Sequence, residues 1–261
     1  MLVECDNGLM ELLVVSVASL FAGFVDSIVG GGGLILVPAL FATFPSAHPA
    51  TLFGTNKGAS VWGTAFATWQ YSQRVQMRWA ALWPAAAAGL LASFAGAWLV
   101  TVVSPDFLRK LLPFVLGLVL TYTLLKKDLG RHHAPRFSGL NEQLVAAGIG
   151  CVIGFYDGFF GPGTGSFLVF LFVRLLGYDF LSASAAAKLI NTSTNVAALA
   201  LFVYKGHIWW HFVVAMAVAN VAGSFLGTRM ALKHGTGFVR GVFLLVVSAL
   251  IMKTSFDAFM R

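Results

Sequence analysis

Residues 22–33 read Ala22-Gly23-Phe24-Val25-Asp26-Ser27-Ile28-Val29-Gly30-Gly31-Gly32-Gly33. An apolar run that begins near Leu9 meets a carboxylate at Asp26 and then breaks on consecutive glycines. A short apolar run, Leu34 to Phe44, follows. Glycine frees the backbone to adopt positive φ and leaves its N–H groups uncovered. Inside lipid, irregular backbone survives only where protein or a wet cavity surrounds it. A carboxylate just before such a break therefore marks an interior feature.

The same pattern returns at an offset of 131 residues, the separation of Asp26 from Asp157. Gly23-Phe24-Val25-Asp26 aligns with Gly154-Phe155-Tyr156-Asp157, Gly30 with Gly161, Gly32 with Gly163, and Lys57 with Lys188. Ser93-Phe94-Ala95-Gly96 aligns with Ser224-Phe225-Leu226-Gly227, and Arg109 with Arg240. About 18 of the 100 positions from Gly23 to Tyr122 match, and the matches at Gly, Asp and Lys are the telling ones in so apolar a chain. The chain reads as two tandem homologous halves, 1–125 and 143–261, joined by a polar linker at 126–142.

Composition sets the environment. Of 261 residues 58% are hydrophobic and 10% charged, and the mean hydropathy is +0.83. Soluble domains carry about 25% charged residues. So few charges cannot cover an aqueous surface, which excludes a soluble enzyme or a nucleic-acid-binding domain and points to the lipid bilayer. The net charge of +7 is scattered over short connections, as expected of orienting loops and not of a nucleic-acid footprint. Cys5 and Cys151 suggest neither a disulfide nor a metal site, and Cys151 reads as a buried thiol. The acidic leader (Glu4, Asp6, Glu11) argues for a retained first segment, not a signal peptide.

Further apolar runs cover about Ala50–Tyr71, Trp79–Val103, Phe107–Leu125, Gln143–Phe160, Ser166–Leu176, Ser182–Tyr204, Ile208–Leu232 and Phe238–Phe256. A spanning helix needs about 20 apolar residues, so the runs after the glycine breaks are too short to cross alone. The expected fold is an all-α polytopic integral membrane protein of the cell membrane, the inner membrane if bacterial. It has about eight to ten helical segments, with a glycine-broken or re-entrant helix in each half. The loops holding Arg74, Arg78, Lys126, Lys127, Arg131 and Arg136 share a side, which the positive-inside rule makes cytoplasmic. The Lys/Arg-free N-terminus slightly favours inverted halves over parallel ones.

The two breaks, Gly30-Gly31-Gly32-Gly33 and Gly161-Pro162-Gly163-Thr164-Gly165-Ser166, each precede a short helix. Two such helix N-termini facing each other make an anion site. The competing reading is close helix packing through small residues. Lys57 and Lys188 lie about 9 Å into their helices at 1.5 Å per residue. Each is an intramembrane cation suited to an oxyanion, with snorkelling to the interface as the rival. Asn56 and Asn191 stand beside them. Asp26 and Asp157 can cap the breaks, pair with a lysine or carry a proton.

Weaker features take structural readings. His207 and His211 sit a turn apart without a third metal ligand. Trp69, Trp79, Trp83, Trp209 and Trp210 read as interfacial anchors. Ser60 and Ser166 lie in no nucleophile-elbow motif.

The stretch Ala22–Gly33, continued by Pro38 and Gly54-Thr55-Asn56-Lys57, resembles the signature of the TauE/SafE family of membrane anion transporters, the sulfite exporters. The resemblance covers the chain from about Leu9, with a degenerate second copy from Gly154 to Gly165. There Pro162 and Thr164 interrupt the glycines, and Ala187 replaces the Asn before the lysine. It implies a secondary transporter moving sulfite or an organosulfonate such as sulfoacetate, with no enzyme activity and no cofactor. Its site is expected at Gly30, Gly31, Gly32, Gly33, Asn56, Lys57, Gly161, Gly163, Thr164, Gly165, Ser166, Lys188 and Asn191, with Asp26 and Asp157 coupling or capping. The residues themselves reach only an oxyanion transporter, with an anion channel or a non-transporting membrane scaffold as alternatives. The expected partners are a small anionic substrate, lipid, and in one version a second copy of the chain.

Overall fold

The structure is a computed structural model and describes residues 2–104, 106–108 and 134–259. The linker stretch Lys126–His133, Arg109, and the Phe107–Leu125 run past Leu108 lie outside the described residues. So do the side chains of Cys5 and Arg240.

The described residues are helical: α1 (Leu2–Val29), α2 (Gly33–Thr43), α3 (Pro49–Ser72), α4 (Trp79–Val102), α5 (Gly139–Phe159), α6 (Thr164–Leu171), α7 (Phe180–Tyr204) and α8 (Trp210–Phe259). A π-turn at Phe172–Leu176 extends α6, and α8 is broken at Gly235. Among the described residues four segments are long and apolar enough to cross a membrane: Gly8–Val29, Trp79–Val102, Phe180–Tyr204 and Trp210–Val239. In α3 and α5 polar residues such as Asn56, Lys57, Thr64, Glu142 and Asp157 interrupt helices of similar length. Helix α5 starts at Gly139, so Glu142 belongs to its first turn and not to a solvated linker.

Both glycine breaks reverse the chain. Leu36 and Leu40 of α2 pack in one cluster with Val15 and Ala22 of α1, so α2 runs back along α1. Tyr178, just past the π-turn, hydrogen-bonds Glu142 in the first turn of α5, so the second short helix returns to the end where α5 began. The segments that follow start on side-chain caps. His48 accepts from Ala50 N, with Pro49 opening α3, and Asp179 accepts from Leu181 N and Ser182 N of α7.

The helices of the two sequence halves interlock. Helix α4 packs along α5 and α7, and its counterpart α8 packs along α1 and α3. Small residues make both seams. A Cβ at Gly154 would meet Gly89 O at 2.5 Å, and one at Gly96 would meet Phe155 O at 2.2 Å. In the other seam a Cβ at Gly23 would meet Asn220 O at 2.2 Å, and one at Gly227 would meet Phe24 O at 2.4 Å. Without a hydrophobic drive between helices in lipid, such close backbone approach is what holds a bundle together. The matched Ser93–Gly96 and Ser224–Gly227 motifs thus sit in the packing seams.

Cys151 departs from expectation and is exposed. Glycines 150, 154 and 158 occupy the inner face of α5, and Cys151 is turned outward with the exposed Val152 and Phe155. Trp69, Trp79, Trp83 and Trp210 are exposed as expected of anchors, whereas Trp209 packs on Phe44 and Phe212. His207 stacks on His48, ring centroids 5.1 Å apart, and His211 packs on Phe212.

Candidate functional site

The tips of the two glycine hairpins touch. A Cβ on Gly165 would lie 2.5 Å from Gly30 Cα, and one on Gly33 would lie 3.2 Å from Pro162 Cα. Gly30 and Gly161 hold φ of +75° and +89°, values that side-chain-bearing residues rarely adopt. Hydroxyls cover the tip carbonyls: Ser166 donates to Gly30 O (3.1 Å) and Ser184 to Ile28 O (2.9 Å).

Four ionisable residues converge on this junction, and they pair across the sequence halves. Lys188 Nζ lies 2.7 Å from Asp26 Oδ2, and Lys57 Nζ lies 2.7 Å from Asp157 Oδ2. The side chains of Lys57 and Lys188 are 4% and 0% exposed, which removes the snorkelling reading. Burying a charge without a partner costs several kcal/mol, so each pair is held together by the absence of water. The pairs differ in detail. Asp26 also accepts Gly32 N through Oδ1, so it caps the first break while it pairs. Asp157 Oδ2 meets the Lys57 ammonium as an ion pair and has no hydrogen-bond partner besides it.

A polar cavity lies under the tips. It is lined by Asp26, Gly31, Gly32, Gly33, Asn56, Lys57, Asp157, Gly161, Gly163, Thr164, Gly165 and Asn191. Its volume of about 20 Å³ admits one water, since a water needs roughly 10–15 Å³. Periodicity explains the lining. Lys57, Ser60 and Thr64 on α3, and Asn191 and Asn195 on α7, recur at helical spacing and so face one way. The carboxamide oxygen of Asn56 is buried here without a partner.

Many helix N–H groups at the breaks are already paired. Leu34 N bonds Gly31 O, Leu36 N bonds Gly32 O, and Phe167 N bonds Gly163 O. The two turns are therefore closed on themselves more than open helix N-termini would be.

Comparison with known proteins places this architecture. The model of the family "Sulfite exporter TauE/SafE" matches residues 15–254. The chain belongs to the TauE/SafE family. It is 37% identical over 241 residues to YfcA of Escherichia coli K12, described as a probable membrane transporter protein, covering 92% of this chain and 88% of that one. It is 35% identical over 242 residues to the probable membrane transporter protein ORF9 of Sinorhizobium, covering 92% and 91%. A probable membrane transporter protein of Haemophilus influenzae is 32% identical over 252 residues, covering 97% of both. No solved structure matches the chain. This protein is thus a membrane transporter of the TauE/SafE family, and its lipid-facing Leu, Phe and Trp side chains fit that setting.

Within this TauE/SafE chain three residues expected at the site do not line the cavity. Gly30 and Ser166 are spent on the contact between tips, and Lys188 lies behind Asp26. Five lining residues stand outside the expected set: Ala22, Ser60, Thr64, Asn195 and Asn220. Asn220 had a legible signal, a lone amide inside the apolar run Ile208–Leu232. Its Nδ2 donates to Ser19 O (3.0 Å), tying α8 to α1 beside the cavity.

At the end of the bundle where α4 and α5 begin, Arg78 clamps Glu142 through both Nε and Nη2, and Tyr178 donates to the same carboxylate. These contacts hold the Arg78 guanidinium above its usual pKa, led by the hydrogen bond to Glu142. Burial, then the Glu142 contact, pushes the Tyr178 phenol up as well. The stacked His48 and His207 rings join α3 to the connection between α7 and α8. Burial, then His48 and Lys205, lowers the His207 pKa.

Proposed function

We propose that this protein is a secondary transporter for a small sulfur oxyanion, sulfite or an organosulfonate such as sulfoacetate. It works by alternating access of two inverted homologous halves, 1–125 and 143–261, about the junction of the hairpin tips. The observation that carries the reading is the crosswise pairing of Lys57 with Asp157 and Lys188 with Asp26 around a polar cavity.

The charge balance supplies the mechanism. Two lysines and two aspartates leave the junction neutral. Adding an anion alone would leave a net buried charge, which low dielectric penalises heavily. Adding a proton with it keeps the balance. Asp157 is the proton carrier in this scheme: its Oδ2 meets only the Lys57 ammonium, and protonation there weakens that hold. The freed ammonium, with Asn56, Asn191 and Thr164, then takes the oxyanion beside the glycine backbones Gly31, Gly32, Gly33, Gly161, Gly163 and Gly165. Lys188 with Asp26 is the fixed pair that keeps the first hairpin capped. A cavity of about 20 Å³ is too small for the anion, which suits a closed state of a transporter better than an open channel.

Inverted halves are supported by where the ends meet. Arg78, after α3, and Glu142, at the start of the second half, share one end. With Arg74, Arg174, Arg229 and Lys233 this end collects most of the described cations, as a cytoplasmic face should. His48 and His207 mark the other end.

The test is uptake of sulfite and sulfoacetate into vesicles containing the purified protein, with an imposed pH gradient and, separately, an imposed potential. Saturable uptake that accumulates when the outside is made acidic supports the proposal. Non-saturating flux indifferent to the pH gradient would make the protein a channel. Absence of both flux and binding of labelled anion would make it a scaffold.

A further inference from the structure

A second basic site lies far from the ion pairs, on the outside of the bundle. Between the end of α3 and the facing turns of α8 is an open groove of about 760 Å³. Arg74, Arg229 and Lys233 line it, with Gln70, Trp69 and Phe225. None of its lining residues lines the central cavity. Among the described residues no carboxylate pairs with Arg74, Arg229 or Lys233. Arg229 and Lys233 stand one helical turn apart, a spacing at which like charges repel. The carboxamide oxygen of Gln70 is buried in the same place without a partner.

The groove is also amphiphilic. Trp69 is 59% exposed, the habit of an interfacial indole. The Arg229 guanidinium sits 5.9 Å from the centroid of the Phe225 ring. Phe66 links Trp69 and Phe225 at centroid distances of 5.6 and 6.1 Å. Cations at the rim above an aromatic wall match a ligand with an anionic head and an apolar tail better than a free inorganic anion.

The sequence offset of 131 residues, that of Asp26 to Asp157, provides an internal control. The counterparts of Gln70, Gln73, Arg229 and Lys233 are Leu201, Tyr204, Trp98 and Val102, and only Arg74 keeps a cation, as Lys205. The charge is therefore not a by-product of the architecture. It is present at the end that carries Arg78 and Arg174 and nearly absent at the equivalent place on the opposite end. Negatively charged lipids attract such clusters at the cytoplasmic leaflet.

We propose that the groove between α3 and α8 is a binding site for the phosphate headgroup of an anionic phospholipid. Arg74, Arg229 and Lys233 hold the phosphate, Gln70 meets the polar part of the headgroup, and an acyl chain lies along Phe66 and Phe225. The site is independent of which anion is carried through the centre.

The experiment uses the full chain purified in a neutral detergent. Adding phosphatidylglycerol or cardiolipin should raise its Tm by about 2–4 °C, and phosphatidylcholine should not. The triple variant Arg74→Gln/Arg229→Gln/Lys233→Gln, which changes only exposed side chains, should lose most of that rise. An equal rise with phosphatidylcholine or in the triple variant would overturn the proposal. A comparable rise with glycerol phosphate or inorganic phosphate alone would overturn it in favour of a soluble-anion site. A photoactivatable phosphatidylglycerol on the unmodified protein provides a readout that needs no variant. Labelling of peptides containing residues 66–74 and 225–233 supports the site, and labelling elsewhere only refutes it.

Discussion

The pair Lys188–Asp26 and the pair Lys57–Asp157 occupy matched positions in sequence, yet they are built differently. The first joins Lys188 to Asp26, whose other oxygen caps Gly32, and only its carboxylate reaches the cavity. The second puts both Lys57 and Asp157 on the cavity wall. The difference teaches how two similar sequence motifs can be set differently. One carboxylate is tied to backbone as well as to its lysine, and the other, among the described residues, meets only its lysine.

The largest effect should come from breaking the pair whose carboxylate is the more deeply buried. Lys57→Ala leaves Asp157, 2% exposed, with no cation and should cost about 3–5 kcal/mol. Lys188→Ala should cost less, about 1–3 kcal/mol, because Asp26 is 15% exposed, lines the cavity and keeps the Gly32 N–H. Thermal or denaturant unfolding of both variants in detergent checks the order, and equal losses would erase the distinction between the pairs.

Next come the hairpin tips. Gly30→Ala places a Cβ 2.2 Å from the Gly165 carbonyl carbon at a left-handed φ, whereas at Gly161 the nearest atom is the flexible end of Lys57 at 3.2 Å. Both substitutions carry backbone strain of about 1–3 kcal/mol, and Gly30→Ala adds an overpacking term of similar size. Sulfite uptake should vanish in Gly30→Ala and persist, reduced, in Gly161→Ala.

Asp157→Asn should sharpen the comparison most directly. It frees Lys57 permanently, so sulfite binding should tighten by about tenfold, near 1.4 kcal/mol, while uptake loses its response to a pH gradient. Asp26→Asn should keep that response in whatever protein remains folded. Vesicle flux at several pH gradients separates the two, and a pH response that survives in Asp157→Asn would remove Asp157 as the carrier.

Smaller still are the helix caps at matched positions. Asp179 accepts two backbone N–H groups and His48 one. Asp179→Ala should cost about 1–2 kcal/mol and His48→Ala about half as much. The least effect concerns His207, whose pKa is lowered in the folded protein. Below its unfolded value near 6.5, the unfolded chain binds a proton that the folded chain resists. Stability should therefore decline slightly as pH falls from 7 toward 5.5, and His207→Gln should remove that decline in Tm.

Much of this site was legible in the sequence because charge is scarce. Asp26, Asp157, Lys57 and Lys188 stood out against apolar runs, and the glycine breaks announced irregular backbone. Partner choice was not legible. Lys57 of α3 pairs with Asp157 of α5 across long sequence separation, a matter of how helices pack and not of spacing along the chain. Composition also hid the seams: glycine marks both kinds of place, the breaks at Gly30–Gly33 and Gly161–Gly165 and the close helix packing at Gly96 and Gly227. Thr64 and Asn220 escaped notice because short polar side chains inside a helix more often bond their own backbone, as Thr64 does to Val61 O.

The contact at Gly30 and Gly165 has a mechanical consequence. The two tips meet largely through backbone, with the Ser166 hydroxyl donating across to Gly30 O. Where most membrane helices mesh like gears, these tips meet more like the faces of a plain bearing with a single pin. Under the proposed mechanism the two ion pairs on either side carry the load, and motion waits for one of them, and for that hydroxyl, to let go.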